Sequence, residues 1–219
     1  MSRVYLLVEG QTEEAFVNEL LTPHYARIGL YLTPIVVNTS PGYKGGVVSY
    51  AKIKPQIDKL CKQHSKAHVT TLFDLYALPN DFPGKSKPTY AFNINGKQKA
   101  EFLEAELAVD IGHQNFIPNL LVHEFEALLL VDLEAFEQWT DDDSVLEPLR
   151  VVRKTTAPED INDNPQTAPS KRILAVMKGY QKTFHGPLIA CDIGLDVIRK
   201  ACPHFNEWLQ KIEALTDTN

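Results

Sequence analysis

The sequence predicts an α/β fold: a mostly parallel four-stranded sheet flanked by helices, with a helical C-terminal part. Three observations carry this. Val4–Val8 (VYLLV) is a continuous apolar run, as in a strand buried on both faces. Such runs alternate with helix-period segments along the first part of the chain, the pattern of βαβ units and a parallel sheet. After Thr140 the strand signals stop and helical patterns take over.

Taken in order, Val4–Val8 is the first strand, broken by Gly10. Thr12 is the expected cap of the next helix, with Glu13 and Glu14 in its first turn, where they favour the helix dipole. Phe16, Leu20 and Leu21 carry helical spacing to about Arg27. Leu32–Val37 reads as the second strand. The glycine-rich loop Pro41–Gly46 (PGYKGG) follows, then a helix near Ser49–Gln63. Val69–Phe73 is the third strand and ends at Asp74; Pro79–Pro88 is a turn-rich loop. Lys97–Ile111 places Ala100, Leu103, Leu107 and Ala108 on one helical face. Phe116–His123 is the fourth strand, with Pro118 marking an edge or a strand start, and Phe125–Gln138 an apolar-striped helix. Ala157–Pro169 reads as an ordered loop or linker, before helices over Ser170–Lys178, Leu188–Ala201 and Phe205–Leu215. The division is an α/β domain over 1–138, and a linker with a helical subdomain packed on it over 139–219.

Composition narrows the function classes. The 219 residues are 44% hydrophobic and 23% charged, as in ordinary globular proteins. A net charge of −6 gives no whole-chain basic footprint for nucleic acid, and leaves a local basic patch or a partner subunit as the means of binding it. Cys61, Cys191 and Cys202 are odd in number with no CxxC spacing, against a disulfide framework or a zinc site. The apolar run at the N-terminus is too short for a signal-peptide core or a membrane span, so the expectation is a cytoplasmic protein with no membrane association.

Ligands of open parallel sheets bind beyond the carboxyl ends of the strands. Glu9 follows the first strand, Asp74 the third and Glu124 the fourth, with Glu126 close by. Adjacent carboxylates repel unless a cation or a shared proton compensates, and oxygen-only ligands favour a hard cation, Mg²⁺ or Mn²⁺. Each acid also has an ordinary reading: Glu9 as a solvated strand end, Asp74 as a turn or cap, Glu124 and Glu126 as first-turn helix acids. Weaker candidates are phosphate-binding. Lys44 sits in a glycine-rich loop that lacks the GK[ST] ending of a P-loop. Lys171 and Arg172 open a helix. His185, in FHGP, fits a proton donor or phosphate ligand, and equally a cap. His204 and Trp208, one helical turn apart, read as packing.

The glutamate after the first strand and the aspartate after the third resemble the Toprim layout shared by topoisomerases, primases and the overcoming-lysogenization-defect nucleases, a Toprim/Rossmann-like sheet. More closely, VEGQTEEAFV, TTLFDLYALPNDFPG, HEFEALLL, TAPSKRIL and HGPLIA resemble the uncharacterised bacterial domain-of-unknown-function family 4276 over nearly the full chain. The Toprim resemblance implies Mg²⁺-dependent phosphodiester chemistry, with Glu9 matching the general acid/base glutamate and Asp74 the first aspartate of a DxD motif. Tyr76 stands where the second aspartate is expected, and Glu124 and Glu126 restore the acidic count. The expectation is a metal-dependent nuclease: Glu9 moves a proton, Asp74, Glu124 and Glu126 hold metal, and Tyr76 orients a phosphate or water. The same resemblance implies a bacterial defence module with an ATPase partner, in which this chain is alternatively a non-catalytic or conditionally active subunit. A small-molecule phosphoryl-transfer enzyme is a third reading, and a homodimer is compatible with each.

Overall fold

The computed structural model describes residues 2–40, 43–44, 49–76, 78–92, 95–140, 142–161, 164 and 166–216. Its centre is a parallel sheet of β1 (Ser2–Val8), β2 (Leu30–Val36), β5 (His68–Asp74), β6 (Phe116–Ile117) and β7 (Leu120–Leu121). The order is β2-β1-β5-β6, with β7 also on β5. A small antiparallel hairpin, β3 (Asn38–Ser40) and β4 (Tyr43–Lys44), lies apart from it.

The apolar runs are explained by two cores. Val4, Leu6 and Val8 of β1 face one side, where they meet Phe16, Leu21, Phe125 and the C-terminal helices. Leu7, with Val69 and Phe73 of β5, faces the other, under α3 (Tyr50–Gln63) and α4 (Gly96–Ile111). The period-2 alternation of a strand thus puts apolar residues into both layers. No helix among the described residues is long and apolar enough to cross a membrane, and the three cysteines are free.

Several elements differ from the sequence expectation, each for a local reason. The first helix is capped at Gly10, not by Thr12, which is buried within α1 (Gln11–Phe16). It opens into a π turn over Val17–Leu21 before α2 (Thr22–Ala26), because Pro23 has no N–H to continue the ladder. The fourth strand is two short pieces. At the break Asn119 and Thr71 replace ladder bonds with side-chain ones: Thr71 Oγ1 donates to the Asn119 carbonyl at 2.7 Å, and Asn119 Nδ2 to the Thr71 carbonyl at 3.0 Å. Phe125–Gln138 is not one helix but α5 (Glu126–Leu129) and a 3-10 segment, Glu134–Trp139. Arg153 of α6 (Glu147–Thr155) takes the Leu130 carbonyl at 2.6 Å, and Asp132 accepts from the Glu134 N–H to start the new turn.

In the C-terminal part, α7 is Pro169–Val176. The next helix begins earlier than the periodicity indicates, as α8 (Lys182–Ile193), and Gly194, at φ 83°, separates it from α9 (Leu195–Ala201). The last helix, α10, is Pro203–Glu213. It is fastened to the sheet layer by buried polar contacts. Trp208 Nε1 donates to Thr70 Oγ1 at 3.0 Å, and Glu104 accepts both the Leu120 N–H and His204 Nε2 at 2.8 Å. Glu159 caps α10 through the His204 and Phe205 N–H groups, each at 3.0 Å. His204 and Trp208 therefore pack as read, with hydrogen bonds added.

Candidate active site

Strand register decides where the acids meet. Val8 of β1 is level with Leu72 of β5, so Glu9 comes out beside Asp74, and Glu9 Oε2 accepts the Asp74 N–H at 3.3 Å. Asp74 is level with Leu121, so the chain leaving β7 turns back within three residues to deliver Glu124. That turn uses His123 in the left-handed region, at φ 66°, with its carbonyl accepting the Tyr76 N–H at 2.8 Å. Gly96 makes room for it, since a Cβ there would stand 2.7 Å from His123 Cε1. Asp74 Oδ1 then accepts the Phe125 N–H at 2.9 Å, and Glu124 Oε1 the Ser170 N–H at 2.5 Å.

A lysine from the C-terminal part completes the cluster. Lys182, the first residue of α8, brings Nζ to 3.2 Å from Glu126 Oε2, 3.3 Å from Asp74 Oδ2 and 3.6 Å from Glu13 Oε1. It also lies 6.0 Å from the centroid of the Phe125 ring. Gly186 lets α8 approach this closely, because a Cβ there would be 3.0 Å from Phe125 Cε1 and 3.3 Å from the Tyr180 hydroxyl. Tyr180 donates to Glu126 Oε1 at 3.4 Å.

The carboxylates outnumber the ammonium, and the proton affinities respond. Burial, then the Asp74 and Glu13 charges, push Glu9 up to about 8, with the Asp74 N–H and Lys182 opposing. Burial pushes Glu126 up to about 7 against the pull of Lys182, with the Asp74 and Glu124 charges adding to the rise. Glu13 is raised by burial and by Asp74. Burial works against the Lys182 charge, but Asp74, Glu126 and Glu13 more than offset it and hold the ammonium above the usual lysine range. Near neutral pH the site is thus a largely buried, proton-holding, negatively biased cluster. Asp74, Glu126 and Glu13 are spaced around Nζ. Among the described residues, the group whose ligand atoms all lie within 4.8 Å of one another is Glu101, His204 and Glu207, on α4 and α10, where Lys97 already pairs with both glutamates.

Residues 8–213 match the family model described as Domain of unknown function (DUF4276). The chain belongs to the DUF4276 family. No curated protein matches it. A solved structure titled as the C-terminal region of the Xanthomonas campestris pv. campestris OLD protein is similar at 17% identity and a TM-score of 0.44, covering 100% of this chain and 99% of that one.

In this DUF4276 chain the sequence-predicted residues divide clearly. Glu9, Asp74, Glu124 and Glu126 come together at the strand ends. Lys171 is exposed at the start of α7, and Arg172 Nε donates to the Thr167 carbonyl at 2.7 Å. His185 caps α8, its Nδ1 accepting the Gln181 N–H at 2.9 Å. Tyr76 is held through its backbone, and its side chain is exposed. The side chain of Lys44 and most of the PGYKGG loop lie outside the described residues. Sequence reading missed Lys182, Glu13 and Tyr180. One of them carries a signal once its helix is placed. Lys182 is a cation at a helix N-terminus, where the dipole disfavours it unless acids face it.

Proposed function

We propose that this chain is a metal-dependent nuclease that hydrolyses phosphodiesters at the carboxyl ends of β1, β5 and β7. The observation that carries the reading is the convergence of Glu13, Asp74 and Glu126 on one lysine in a buried site, with Glu9 joined to it through the Asp74 N–H. The four sequence-predicted acids offer oxygen ligands alone, which fits Mg²⁺ or Mn²⁺, and the raised proton affinities of Glu9 and Glu126 fit a set built for more positive charge than Lys182 supplies. Bound there, such a cation would supply Lewis-acid stabilisation of phosphoryl oxygen charge.

The chain's own groups have distinct tasks. Glu9 is poised near neutral pH, the range in which a carboxyl group can take a proton from water or return one to a leaving oxygen. Asp74 is fixed by the Phe125 N–H and Glu124 by the Ser170 N–H, so each presents its remaining oxygen in a set direction. Lys182 has three donors and only a third of its side chain exposed, which suits it to a phosphate oxygen once cation binding takes over the acids. The Toprim resemblance supports nucleic acid as the substrate, and is compatible with a bacterial defence module in which the nuclease works beside an ATPase, as a single chain or as a homodimer.

The test is cleavage of plasmid, single-stranded DNA and RNA with Mg²⁺ or Mn²⁺, comparing wild type with Glu9→Ala and Asp74→Ala. Cleavage by wild type, lost in both variants, is expected. Cleavage that neither substitution alters refutes the mechanism. Tyr76, where a second aspartate is expected, favours a second reading: a subunit active only with its ATPase partner. Efficient cleavage by the isolated chain excludes that form.

A further inference from the structure

Beside the acidic cluster lies a recess of about 650 Å³, whose walls include Gln138, Trp139, Thr140, Met177, Lys178 and His185. Its walls join the Trp139 and His185 rings and the Lys178 cation to the apolar Val145, Val176 and Met177. The described lining residues include no carboxylate, and Lys178 is exposed. Trp139 is fixed by Asp192, which accepts from its Nε1 at 3.4 Å and also from Gln138. His185 stands edge-on to Trp139 at 5.3 Å, and Phe184 edge-on at 6.1 Å. Phe184 leaves 55% of its surface exposed, at a position next to the recess where a packing role would cover it. The recess and the acidic cluster share a wall. The His185 ring lies 5.9 Å from Tyr180 with an interplanar angle of 30°, and the Tyr180 hydroxyl reaches Glu126 at 3.4 Å. Lys182 and His185 stand three residues apart on the first turn of α8, so one helical turn serves both.

Fixed, partly exposed rings beside a cation and polar groups are what an unpaired nucleobase requires: a face to stack on, and donors or acceptors for its edge. We infer that this recess is a base-stacking subsite, which seats an unpaired nucleobase on the face of Trp139 with Phe184 edge-on beside it, while the adjoining phosphate of the same strand lies at the Glu9–Asp74 cluster. This rests on the nuclease reading above and gives that reading a substrate class, single-stranded polynucleotide. A base inside a duplex already stacks on its neighbours and cannot enter. Lys178 assists through charge.

The experiment uses the full chain with Ca²⁺ and a fluorescein-labelled dT12 strand, checked to be intact afterwards. Its comparators are an abasic strand of the same length and a duplex. Affinity is read by anisotropy and stacking by tryptophan fluorescence. Trp208 is buried and hydrogen-bonded to Thr70, so quenching on binding reports Trp139. Wild type is expected to bind dT12 roughly 5- to 150-fold more tightly than the abasic strand, with quenching. Phe184→Ala, at an exposed position that leaves the fold intact, should lose most of that margin, and Trp139→Leu should lose both margin and quenching. The subsite is refuted if dT12 and the abasic strand bind wild type equally, if both variants bind as wild type, or if no strand binds. The nuclease reading stands or falls separately: cleavage with Mn²⁺ that depends on Glu9, accompanied by unchanged binding in both aromatic variants, overturns the subsite alone.

Discussion

The Lys182 ammonium lies 3.2 Å from a Glu126 carboxylate that solvent does not reach. The two residues come from different helices, α8 and α5, with α6 and α7 between them in the chain. Their contact closes the acidic site and ties the C-terminal helices to the strand ends. Lys182 is therefore the structural counter-ion of the cluster.

Lys182→Met should destabilise the ion-free chain. It leaves Asp74, Glu13 and Glu126 without their shared cation, and removing one partner of a fully buried pair costs about 3–5 kcal/mol. The Lys182 side chain is 36% exposed, so a smaller loss, about 2 kcal/mol, is expected. Mn²⁺ should restore much of it, because a dication answers the same carboxylates. Urea denaturation with EDTA and with saturating Mn²⁺ measures both. A loss that Mn²⁺ does not reduce would show that the acids do not form a cation site.

Cation binding should release protons and strengthen with pH. With Glu9 at about 8 and Glu126 at about 7, both hold protons at pH 6 in the ion-free chain, while a hard cation binds their ionised forms. Affinity for Mn²⁺ should thus rise from pH 6 to pH 8, by up to roughly tenfold per pH unit for each group still protonated. Calorimetric titrations at pH 6.5 in two buffers of different ionisation enthalpy count the protons. Release of about one to two is expected, and none would contradict the shared site.

The central strands and the strand-end acids were legible in the sequence because both depend on local signals. VYLLV must be buried on both faces, and Glu9 and Asp74 stop their strands where a parallel sheet places its ligands. Broken helices were harder to read. Phe125–Gln138 keeps an apolar stripe throughout, and what interrupts it is a tertiary contact, Arg153 taking the Leu130 carbonyl. Lys182 lies 108 residues from Asp74, and no spacing rule joins them. Only the unfavourable position of a cation at the start of α8 marked it, a local rule broken at a site. Glu13 was hidden by the opposite effect. A glutamate in the first turn of a helix satisfies the dipole, so its ordinary role accounted for it without the site.

Glu9→Gln should stabilise the ion-free chain, and more so as pH rises. The Glu9 proton affinity is raised to about 8 on folding, from an ordinary value of 4.5. The folded state therefore binds more protons than the unfolded state between those values, and stability falls as pH rises through that window. The contribution is full below about pH 4.5 and gone above about pH 8, with a ceiling of about 5 kcal/mol that solvent access at the cluster reduces. Glutamine does not titrate and escapes the loss. Thermal melts with EDTA should show the variant gaining on wild type between pH 5 and pH 9, while cleavage is lost. A constant difference across that range would mean that Glu9 is ionised throughout.

Gly96→Ala should damage the site from outside it. The new Cβ would lie 2.6 Å from Val122 Cγ1 and 2.7 Å from His123 Cε1, closer than real contacts allow. His123 has little freedom to yield, because its left-handed backbone is held by the Tyr76 N–H and the next residue is Glu124. Overpacking of this kind costs about 1–3 kcal/mol, and the displacement passes to the Glu124 carboxylate. Gly179 is the control: nothing lies within 4 Å of a Cβ there, and Gly179→Ala should change stability by less than about 0.5 kcal/mol. Urea denaturation and Mn²⁺ titration of both variants separate the effects. If Gly96→Ala loses stability but binds Mn²⁺ as wild type does, Glu124 is not a ligand, and the cation is held by Glu9, Asp74 and Glu126 alone.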